Sequence, residues 1–90
     1  MIKSDPLISN ENTELLADLK DLVLYNDDFN TFDFVIESLV DVCDHKPEQA
    51  EQCALIVHFK GKCAIKSGSF SEMKLIYSEL LNRELTVEIQ

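Results

Sequence analysis

Leu22-Val23-Leu24-Tyr25-Asn26-Asp27-Asp28-Phe29 is the stretch from which the rest of the chain can be read. Four apolar residues in a row, two of them β-branched or aromatic, predict a strand buried on both sides and central in its sheet. The strand ends abruptly in three side chains rich in oxygen acceptors, and a helix pattern begins a few residues later. A strand end that opens into polar residues beside a helix start holds side chains rigidly while leaving them exposed.

Downstream, Asn30 or Thr31 can cap a helix, with Asp33 acidic in its first turn where the helix dipole favours negative charge. Phe32, Val35, Ile36, Leu39, Val42 and Cys43 recur at helical spacing and predict one buried stripe, with Glu37, Ser38 and Asp41 facing water. That helix should end near Asp44-His45. Lys46-Pro47 restarts the chain, since proline suits the first helical position, and a second helix runs to about Lys60 with Gly61 as its left-handed cap. Its stripe is Ala50, Cys53, Ala54, Val57 and His58. Lys62 to Lys66 alternates with period two and reads as a strand closed by Ser67-Gly68. Ser69-Phe70-Ser71-Glu72 is a capping box opening a third helix expected to bury Phe70, Met73, Tyr77, Leu80 and Leu81. Leu85, Val87 and Ile89 alternate with Thr86, Glu88 and Gln90 in a final strand.

The order strand, helix, helix, strand, helix, strand predicts a small α+β sandwich, a three-stranded, mostly antiparallel sheet with three helices on one face. Residues 1–19, with one proline, several Asn and Ser and scattered aliphatics, are expected to form a flexible extension. Leu15, Leu16 and Leu19 could still make one helical turn. Residues 20–90 are then the single core domain, which 90 residues suffice to build.

Eight Lys and Arg against 17 Asp and Glu give a formal charge of −9, which disfavours nucleic acid and anionic membranes as partners. No apolar run approaches the roughly 20 residues that span a bilayer, and the N-terminus lacks the apolar core of a signal peptide. A cytoplasmic protein is expected. Three cysteines at positions that read as core, Cys43, Cys53 and Cys63, fit free thiols in a reducing compartment.

Two kinds of chemistry fare poorly. Cys43, His45, Cys53, His58 and Cys63 include soft metal ligands, but paired zinc-site spacing is absent, and Cys53 and His58 point to different faces of their helix. No metal or other cofactor is expected. A hydrolase using Cys43 or Cys53 with His58 would need a nucleophile on an exposed turn, which the pattern does not supply, so no catalytic residue is assigned. Asn26-Asp27-Asp28 reads equally as a turn leading into a helix, since Asn and Asp satisfy local backbone groups. His58 reads equally as a histidine closing an apolar stripe.

Several dispersed blocks bear on that choice: Tyr25-Asn26-Asp27-Asp28-Phe29, Phe34-Val35-Ile36-Glu37, Glu48-Gln49-Ala50 and Val57-His58-Phe59-Lys60-Gly61-Lys62. In this order they resemble the ClpS family, adaptors of the ATP-dependent Clp protease that recognise destabilising N-terminal residues, the N-degrons. The resemblance implies a binding protein, not an enzyme. Asn26 and His58 would bind the free α-ammonium group of a substrate, with Asp27 and Asp28 adding acceptors and negative charge. His58 must then be neutral, so affinity should fall as the pH drops through the imidazole range. Asn30, Phe32, Val35, Ala54, Val57 and Leu85 would form the apolar pocket for a first side chain of Leu, Phe, Tyr or Trp. Phe29 and Lys74 would dock a Clp AAA+ unfoldase through its N-terminal domain, although Ser69 stands where the family usually has an acid. A monomer is expected. In the family, methionines commonly line the pocket where this chain has Phe32 and Ala54, one side chain larger and the other smaller, which implies a reshaped pocket with room to tolerate a β-branched first residue. The resemblance leaves one alternative, a regulatory module that docks on the unfoldase without N-degron specificity.

Overall fold

The computed structural model describes residues 18–90 of the chain. Six elements follow one another: β1 (Leu19–Tyr25), α1 (Phe32–Cys43), α2 (Pro47–Lys60), β2 (Lys62–Ser69), α3 (Phe70–Asn82) and β3 (Val87–Ile89). The expected extension at residues 1–19, including a helical turn around Leu15 and Leu16, lies outside this range except for Asp18 and Leu19. Leu19 already belongs to β1, paired with Ser69.

The sheet has the order β2-β1-β3 and is antiparallel throughout. β1 is central, as its unbroken apolar run requires, and Leu22, Val23 and Leu24 are all buried. A register shift between Leu22 and Val23 interrupts its pairing with β2. Both strands are longer than their apolar patterns suggest. Lys20 pairs with Gly68 and Asp21 with Ser67, and the Ser67 hydroxyl donates to Asp21 Oδ1 at 2.6 Å. Ser67-Gly68 therefore continues β2 instead of closing it. β3 begins at Val87, and the buried Leu85 precedes the strand.

Each helix is fixed by local chemistry. Thr31 caps α1 by accepting the Phe34 N–H. Pro47 opens α2, and Gly61 closes it at φ 96°, a conformation in which a Cβ is strained. The capping box of Ser69 and Glu72 starts α3. α3 ends in a Schellman motif: Glu84 N–H donates to Leu81 O and Leu85 N–H to Leu80 O. Glu84 takes the left-handed position, at φ 65°. Buried Leu80 and Leu85 supply the apolar contact that accompanies this motif.

The core draws on all six elements, with Leu22, Leu24, Leu39, Cys43, Ala50, Val57, Ile65, Met73, Leu80, Leu85 and Val87 in one cluster. Cys53 and Cys63 pack half-buried against it, and all three cysteines are free thiols.

Three expectations fail at single positions. Ser38 is fully buried, because Arg83 reaches across from the end of α3 to donate to its Oγ at 3.3 Å and to Asp41 at 3.5 Å. Phe70 and Leu81 are exposed, at 52% and 44%, because α3 meets the core through Met73, Ile76, Tyr77 and Leu80. His58 does not continue the buried stripe of α2; it lies exposed beyond Val57. Among the described residues no helix is long and apolar enough to cross a membrane.

Candidate functional site

Where β1 runs out, the backbone N–H of Asn26 donates to the carbonyl of Gly61 at 2.9 Å. This single bond ties the end of β1 to the end of α2. It is the left-handed turn at Gly61 that directs the chain from α2 into β2, and His58 sits one helical turn before it. Two polar residues 32 positions apart in sequence thereby line the same cavity.

After Asn26 the chain makes an Asx turn. Asp27 Oδ1 accepts the backbone N–H groups of Phe29 (2.9 Å) and Asn30 (2.8 Å). Its Oδ2 accepts the Asn30 side-chain amide (2.9 Å) and the Thr86 hydroxyl (3.2 Å). Burial pushes the Asp27 carboxyl up, but the hydrogen bonds from Asn30, Phe29 and Thr86 outweigh it and hold the carboxyl below its ordinary range. Four donors occupy both oxygens, so Asp27 is a structural carboxylate whose negative charge is retained.

The resulting cavity has a volume of about 260 Å³. Its polar side is Asn26, Asp27, Asp28 and His58, its apolar side Phe32, Val35, Ala54 and Val57, with Asn30 between them. The partial exposure of Phe32 follows from this position, since its ring faces the cavity. Among the described residues no side chain hydrogen-bonds to Asn26, Asp28 or His58. The His58 ring meets the exposed Phe59 ring edge-on, with centroids 4.9 Å apart. Leu85, expected in the pocket, is buried in the core instead of lining this cavity.

The two expected docking residues occupy different concavities. Phe29 is 74% exposed and lines a depression with Asn30, Thr31, Phe34, Arg83 and Glu84. Lys74 lines another with Phe70, Tyr77, Glu88 and Ile89, its Nζ 5.9 Å from the centre of the Phe70 ring. Glu84 and Thr86 escaped sequence reasoning, because their bonds to the site span 54 and 59 residues and no local pattern announces them.

The thiols do not assemble a nucleophilic centre. Burial pushes Cys43 up to about 11, and Cys53 likewise to about 11 through burial and the neighbouring Cys63, so neither forms a thiolate near neutrality. Among the described residues no group of three or more His, Cys, Asp or Glu side chains is placed to hold a metal ion.

A compact α+β domain with one mixed cavity, acidic and hydrogen-bonding along one side and apolar along the other, defines a recognition module. Comparison with known proteins specifies which. The family model for the ATP-dependent Clp protease adaptor protein ClpS matches residues 18–87. The ClpS adaptor of Nitratidesulfovibrio vulgaris is 34% identical over 56 residues, covering 60% of this chain and 56% of that protein. The ClpS adaptor of Pectobacterium carotovorum is 31% identical over 86 residues, covering 91% and 81%. In fold, the chain is similar to Agrobacterium tumefaciens ClpS2, solved bound to L-phenylalaninamide, with a TM-score of 0.75 at 19% identity over 81% of this chain and 95% of that one. The chain belongs to the ClpS family and is an adaptor of the Clp protease system, not an enzyme.

Proposed function

We propose that the cavity beside Asn26 receives the N-terminal residue of a protein destined for a Clp AAA+ unfoldase. The observation that carries this reading is the division of the cavity: on one side Asn26, Asp28 and His58, whose side chains hydrogen-bond to no other described residue, and on the other an apolar wall. A free α-ammonium group brings three donors and one positive charge and requires convergent acceptors in negative potential. Asn26, Asp28 and a neutral His58 supply acceptors at the mouth, and Asp27 contributes its charge while its oxygens stay committed to the turn. The first side chain enters between Phe32, Val35, Ala54 and Val57. L-phenylalaninamide, bound by the A. tumefaciens relative, carries the same two features, a free amine and a large apolar side chain.

Both halves of the site are needed. Burying one large side chain contributes roughly 1.5–3 kcal/mol, and each hydrogen bond to a charged group about 1.5–3 kcal/mol. Association costs several kcal/mol, so neither half alone binds usefully. Phe29 and Lys74 are assigned to unfoldase docking, and the adaptor acts as a monomer.

The test is fluorescence anisotropy with labelled peptides that differ only in residue one, Phe, Leu, Ile or Ala, plus an N-acetylated Phe peptide. Phe and Leu should bind, acetylation and Ala should abolish binding, and His58→Ala should weaken it. The Ile peptide measures how Phe32 and Ala54 have reshaped the wall. Indifference to residue one and to acetylation would overturn the reading and leave a module that only docks on the unfoldase.

A further inference from the structure

Asn26, Asp27 and Asp28 sit on a short loop whose placement decides whether acceptors converge on an amine. The bonds that hold this loop from outside come from two directions. One is the Asn26 to Gly61 bond at the end of α2. The others come from a single short segment near the C-terminus, Glu84 to Thr86. The Thr86 carbonyl accepts Tyr25 N–H at 2.8 Å. The Thr86 hydroxyl donates to Asp27 Oδ2, and the Glu84 carbonyl accepts the Asn30 side-chain amide at 2.9 Å.

From this geometry we infer that the segment Glu84–Thr86 is a brace that positions the amine-binding loop, with Thr86 and Asn30 as positioning residues. This inference rests on the reading of the cavity as an N-terminal-residue site.

The brace is itself anchored. Leu85 and Val87 are buried on either side of Thr86, so the core fixes where the Thr86 hydroxyl sits. The Schellman motif fixes the Glu84 carbonyl. Asn30 Nδ2 spans two acceptors, Asp27 Oδ2 and Glu84 O, which uses both of its amide hydrogens. Asn30 also lines both the amine-binding cavity and the depression around Phe29. It therefore acts as a cross-tie in the wall between them. Without the brace the Asp27 carboxylate loses a donor, and the neighbouring Asn26 and Asp28 lose their fixed height above the apolar wall.

Thr86→Val keeps shape and strand propensity but removes the hydroxyl, and Thr86→Ser restores it. Affinity for the free-amine Phe peptide should fall about tenfold in Thr86→Val, as expected for one hydrogen bond to a charged acceptor, and return to near the wild-type value in Thr86→Ser. Thermal midpoints should fall by no more than a few degrees, as loss of one partly exposed hydrogen bond implies. In the free protein the amides of Phe29 and Asn30, which donate to Asp27, should exchange faster with solvent in Thr86→Val alone. Wild-type affinity and unchanged amide exchange in Thr86→Val would overturn the inference while leaving the cavity's function standing. Thr86→Ser binding as weakly as Thr86→Val would overturn it too, since the hydroxyl would then not be the operative group. A wild-type protein that ignores the free amine would overturn the functional reading, and the inference with it.

Discussion

Asp27→Ala removes the acceptor of four hydrogen bonds, two from the backbone at Phe29 and Asn30, one from the Asn30 side chain and one from Thr86. A net hydrogen bond contributes about 0.5–1.5 kcal/mol, and partial solvent access places these at the low end. Loss of all four should destabilise the fold by about 2 kcal/mol. Asp27→Asn keeps the two backbone bonds on one oxygen but turns an amide donor toward the Asn30 amide, so it should cost about half as much. The sign of the pH dependence follows from the lowered carboxyl. The part of its contribution that depends on ionisation is complete above the ordinary value of 3.8 and is lost as the pH falls through the lower folded value. The gap between wild type and Asp27→Ala should therefore be full at neutral pH and narrow in strongly acidic solution, where the neutral carboxyl still accepts the two backbone N–H groups. Urea unfolding followed by circular dichroism measures it. A gap below about 0.5 kcal/mol at neutral pH, the range of ordinary surface substitutions, would refute the account of Asp27 as the keystone of the turn. So would a gap unchanged by acid.

Other substitutions probe neighbouring features. Gly61→Ala meets no atom within 4 Å of the added Cβ but must hold φ 96°, so it should cost roughly 1–2 kcal/mol in denaturant unfolding and weaken peptide binding by loosening Asn26. Glu84→Gly relieves a non-glycine residue at φ 65° while making the unfolded chain more flexible, so its unfolding midpoint should match or exceed wild type, by up to about 1 kcal/mol. Ser69→Ala breaks the capping box and should cost about 1 kcal/mol, with calorimetry showing a lowered midpoint and peptide titration an unchanged affinity.

What the sequence made legible is what short-range chemistry controls. Thr31, Gly61 and the pair Ser69 and Glu72 announce helix ends because each acts on groups within four residues of itself. The buried run Leu22 to Leu24 announces a central strand for the same reason. Ser38 and Thr86 could not be read this way. In a helical or alternating pattern each is an outward polar residue, and only Arg83, 45 residues from Ser38, and Asp27, 59 residues from Thr86, give them roles. Leu85 fits the alternation of a strand and the family resemblance places it in the pocket, but the Schellman turn before it directs its side chain into the core. The separation of Asn26 and His58 is of the same kind: periodicity fixes each on its own element, and the bond between Asn26 and Gly61 that joins those elements belongs to the backbone, which leaves no mark in residue type.

That backbone bond also sets when the site exists. The cavity wall and rim draw on residues from Asn26 to His58, and the brace lies at Glu84–Thr86, so the chain must close loops of about 30 and 60 residues before the acceptors meet. Long loops close late and open early. A partly unfolded adaptor should therefore have no affinity for substrates, and a bound N-terminus should act as a clasp on the complete fold, raising its unfolding midpoint in proportion to the logarithm of ligand concentration.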